Sequence, residues 1–122
     1  MIHEEICTYE VAKLAKEKGF DVPTHYAYNE NCQKAMYMEL CLNRNTKDSR
    51  SISAPTQSLL QRWLREEKNI DIAIVPLYTG GYSYIVYNIH CRDNRVVNTN
   101  AGYANFELAL EDALKYALEN LV

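Results

Sequence analysis

Two consecutive glycines, Gly80 and Gly81, separate two runs of alternating side chains, and no other feature restricts the fold as much. Ile70, Ile72 and Ile74 alternate with Asp71, Ala73 and Val75 on one side, and Tyr82 to Tyr87 is rich in β-branched and aromatic residues on the other. A period of two marks a strand with one buried face, and paired glycines accept the positive φ of a two-residue turn. The pattern predicts an antiparallel hairpin over 70–91, closed at Gly80-Gly81, with Thr79 opposite Tyr82 and Ile74 opposite Tyr87. One face then carries Ile70, Ile72, Ile74, Ile85 and Tyr87. The other carries Val75, Leu77, Tyr82, Tyr84 and Val86. Pro76 has no N–H to donate, which places its strand at a sheet edge.

Around this hairpin the chain reads as alternating helix and strand signals. Thr8 caps a first helix whose apolar stripe is Val11, Ala12, Leu14 and Ala15. Gly19 stops it, and Phe20 folds back on it as in a Schellman end. Extended segments at 25–28 and 35–42 flank turn residues Asn29 to Asn31, which predicts a second hairpin. Asn43 to Ser51 is polar and aperiodic and reads as a mobile loop. A second helix is expected from Pro55 or Thr56, with Leu59, Leu60, Trp63 and Leu64 inward. A third strand is expected over Arg95 to Thr99. Asn105 caps a last helix with Phe106, Leu110, Ala113, Leu114, Ala117 and Leu121 inward. Together these describe one α+β domain, residues 1–122. Its antiparallel sheet, with the central hairpin 70–91, packs against two or three helices in the order α-(ββ)-α-β-β-β-α.

Composition narrows the function. The formal net charge of −3 is spread along the chain, so no basic half exists to neutralise phosphates, and non-specific nucleic-acid binding is disfavoured. No apolar run approaches the length of a membrane span, and residues 1–5 lack a signal-peptide pattern. A cytoplasmic location is expected, with Cys7, Cys32, Cys41 and Cys91 as thiols. They form no C-x-x-C pair, so no metal or other cofactor is expected.

Few residues suggest chemistry. In the derived register Asp71 faces His90, half of an acid–base pair, but no nucleophile lies beside them, and a polar cross-strand pair is the simpler reading. No catalytic residue is assigned, and the chain is not expected to be an enzyme. Trp63 reads as core, and Arg62 and Arg65 as a solvated face. The ten tyrosines stand out, because tyrosine offers large contact area at low entropic loss and is enriched at interfaces. The candidate contact surface is therefore Val75, Leu77, Tyr82, Tyr84 and Val86, covered either by residues 24–42 or by a partner.

Two stretches carry a resemblance: Tyr9-Glu10-Val11-Ala12-Lys13-Leu14-Ala15-Lys16-Glu17-Lys18-Gly19-Phe20-Asp21, and Ser53-Ala54-Pro55-Thr56-Gln57-Ser58-Leu59-Leu60-Gln61-Arg62-Trp63-Leu64-Arg65-Glu66. With the acidic, Ala- and Leu-rich last helix, they resemble a family of small uncharacterised proteins encoded in bacterial prophages and mobile elements. The resemblance implies a bacterial or phage setting and no particular activity. Residues 55–121 also follow the element order of a double-stranded-RNA-binding domain. The lysines that such domains carry at the start of the last helix are replaced here by Phe106, Glu107, Glu111 and Asp112. The leading expectation is a protein-interaction module acting on a protein partner or on itself, and the alternative is a nucleic-acid-binding accessory protein.

Overall fold

The computed structural model describes residues 4–29, 32–46, 50–88, 95–97 and 102–122. Among the described residues three helices and six strands follow in the order α1 (Tyr9–Glu17), β1 (Thr24–Asn29), β2 (Cys32–Leu42), β3 (Ser51–Ser53), α2 (Gln57–Glu67), β4 (Ile70–Pro76), β5 (Tyr82–Asn88), β6 (Arg95–Val97) and α3 (Phe106–Asn120). The fold is α+β, with two three-stranded antiparallel sheets, β2-β1-β3 and β4-β5-β6. The chain gathers into two compact units, residues 1–58 and 59–122.

In the first unit, α1 begins and ends as its sequence dictates. The Thr8 side chain accepts from the Val11 N–H. At the other end Gly19 takes φ 93°, Phe20 N–H donates to the Ala15 carbonyl and Gly19 N–H to that of Lys16. These two bonds are the Schellman pair, which needs a residue free to adopt positive φ. The helix packs on its sheet through a core of Ala12, Tyr28, Ile52 and Ala54, joined by Tyr9, Tyr26 and Ala35. The Tyr9 and Tyr28 rings meet edge to face at 5.6 Å, and the Tyr28 hydroxyl donates to the Cys7 carbonyl at 2.6 Å. Residues 43–46, expected in a mobile loop, are pinned. Asn45 donates through Nδ2 to the Phe20 carbonyl and accepts at Oδ1 from the Ser53 N–H, so its amide substitutes for a missing strand neighbour. Pro55 does not open α2. Its carbonyl instead accepts from Cys7 N–H, extending the pairing of Ile6 with Thr56.

In the second unit the hairpin forms, but its register differs from the expected one. Ile74 lies opposite Tyr84 and Pro76 opposite Tyr82, not Ile74 opposite Tyr87 and Thr79 opposite Tyr82. The loop holds three residues, Tyr78, Thr79 and Gly80, and is closed by Gly80 N–H to the Leu77 carbonyl and Leu77 N–H to the Gly81 carbonyl. A turn followed by one glycine at positive φ is the usual three-residue hairpin. The displacement is an odd number of residues, so it exchanges the two faces of β5 relative to β4. Ile70 and Ile72 therefore share a buried face with Tyr84 and Val86, and α3 covers that face. Within α3, Ala109, Leu110, Ala113, Leu114, Ala117 and Leu118 are buried, whereas Phe106, expected inside, is largely exposed. Asn105 caps this helix through the Leu108 N–H. The edge position read from Pro76 holds, since β4 ends its sheet.

Candidate functional site

The five residues expected to form one contact surface do not do so. Tyr84 is 5% exposed and Val86 0%, both beneath α3. Tyr82 is half-buried on the same face, with its ring edge-on to Phe106 at 6.2 Å. Val75 and Leu77 lie on the opposite face, because Val75 pairs with Ser83. The expectation that the face bearing Tyr82, Tyr84 and Val86 is covered is met by α3, which was not among the candidates. Tyr84 lies in an aromatic and acidic group with Tyr103, Asp112 and Tyr116. Its ring centroid is 6.1 Å from that of Tyr103, whose hydroxyl donates to Asp112. Burial, reinforced by the neighbouring Asp112, Tyr103 and Tyr116, pushes the Tyr84 hydroxyl up to about 12.

Asp71 faces Tyr87 rather than His90. It accepts locally from the Ile72 N–H at 3.0 Å. His90, His3 and Cys91 lie outside the described residues. Among the described residues no three His, Cys, Asp or Glu side chains converge as metal ligands. Of the described thiols, Cys7 is buried and Cys41 exposed.

Tyr78, Phe106 and Leu108 are exposed singly, but four exposed large apolar residues share one strand, β2. This eleven-residue strand is the edge of its sheet, and its neighbour β1 has only six residues. Tyr26 pairs with Tyr37 and Thr24 with Leu42, so β2 spends five residues where β1 spends two. The resulting bulge is held by specific donors. The Arg44 guanidinium donates to the carbonyls of Thr24 (3.1 Å), Leu40 (3.1 Å) and Leu42 (3.4 Å). His25 Nδ1 donates to the Met38 carbonyl at 3.2 Å. The His25 ring stacks on Tyr37 at 5.8 Å, and Tyr26 meets Tyr37 edge-on at 5.4 Å. Outside this frame, Tyr37 is 62% exposed, Leu40 67%, Met36 49% and Leu42 48%.

Bulges bend a strand and re-aim its side chains, and they recur beside functional surfaces. Here the bulge is held by bonds that are largely exposed, and Met36, Tyr37, Leu40 and Leu42 face solvent beside it while Ala35 packs on the core. In the sequence these residues read as a strand, but Met36 to Leu42 does not alternate, so no exposed face could be assigned. The signal that remained was the excess of large apolar residues over what a half-buried strand of that length uses.

No known protein family, characterised protein or solved structure matches this chain.

Proposed function

We propose that this protein is a non-enzymatic protein-interaction module, acting in the setting of a bacterial prophage or mobile element, and that it binds through the β2 edge of its first sheet. One observation carries the reading: an eleven-residue edge strand presents Met36, Tyr37, Leu40 and Leu42 to water. An unpaired edge offers a row of backbone donors and acceptors, and proteins ordinarily blunt it with charge or proline. Added strands use those groups for affinity and the alternate side chains for specificity. Lys34 and Glu39 are the charges of this strand, one at its start and one between Met38 and Leu40, and four large apolar side chains remain exposed around them. The bacterial setting is supported by the sequence resemblance of the two helical stretches.

The test is quantitative affinity purification from the cells that produce the protein, comparing it with Met36→Lys and Leu40→Lys. Both side chains are exposed, so the fold survives the changes. Loss of a retained protein with both variants is expected. An unchanged set of retained proteins would remove β2 as the contact surface.

A further inference from the structure

We draw no further inference here: the strongest candidate, the exposed edge strand β2 with Met36, Tyr37, Leu40 and Leu42, belongs to the site already described, and nothing in the structure shows what covers it.

Discussion

Tyr84 shows how a buried hydroxyl ties stability to pH. It is harder to ionise in the fold than in the unfolded chain, where its value is the usual 10.0. A raised value of this kind stabilises the fold fully below pH 10, and the stabilisation is lost as pH rises toward about 12. Linkage puts that loss at roughly 2–3 kcal/mol. Denaturant unfolding at about pH 9 and about pH 11.5 should therefore show a smaller alkaline loss in Tyr84→Phe, which has no proton to release. Equal losses in the two proteins would remove Tyr84 as the source.

The two adjacent glycines behave differently although the sequence presents them as a pair. Both have positive φ, 96° at Gly80 and 87° at Gly81. A Cβ at Gly80 meets nothing within 4 Å, whereas one at Gly81 falls 2.9 Å from the Tyr103 carbonyl oxygen. Tyr103 pairs with Tyr82 through both backbone bonds, so that backbone has no freedom to retreat. Gly80→Ala should destabilise by about 1 kcal/mol, from φ alone. Gly81→Ala should destabilise by roughly 2–4 kcal/mol, because backbone must also move. Thermal melts of the two variants separate the effects. This is also why the register was misread. A glycine required by close approach of another segment of the same chain looks the same in sequence as one required by a turn, and treating both as turn residues displaces the pairing.

Among the elements, those governed by local rules were legible and those governed by distant partners were not. The ends of α1, the cap of α3 and the strands around residues 24–42 follow from Thr8, Gly19, Phe20, Asn105 and the turn-favouring composition of the sequence after Tyr28, all local signals. β3 was missed because Ser51, Ile52 and Ser53 are too few to show a period, and because it owes its place to Tyr28 and Ala27 across the sheet. The exposed surface of β2 was missed for the same kind of reason. At Leu40 and Leu42 its exposure goes with the bulge, which Arg44 braces from beyond the strand. Arg44→Met keeps the aliphatic stem and deletes the donors to three carbonyls. It should lower stability by about 1–3 kcal/mol, read as a shifted denaturant midpoint. An unchanged midpoint would mean that water satisfies those carbonyls equally well.

For the whole molecule, the net charge of −3 and the acidic start of α3 predict weak binding to nucleic-acid duplexes. Although α2, β4, β5, β6 and α3 run in the order of a double-stranded-RNA-binding domain, Glu107, Glu111 and Asp112 stand on the helix where that chemistry needs cations. A salt titration with random-sequence duplex should give no submicromolar binding at physiological ionic strength. Binding of that strength would revive the nucleic-acid alternative.

The sheet that bears β2 is lopsided. One margin offers eleven residues and the other, β3, three. An exposed strand edge is ordinarily a hazard, since a sheet that is equally adhesive on both sides can recruit copies without limit and grow into a fibre. Here one margin is long and the other spans three residues, too few backbone pairs to hold a further strand firmly. Growth through both margins of this sheet would have to pass through β3, so its brevity acts as a terminator that lets an apolar edge remain open without seeding polymer.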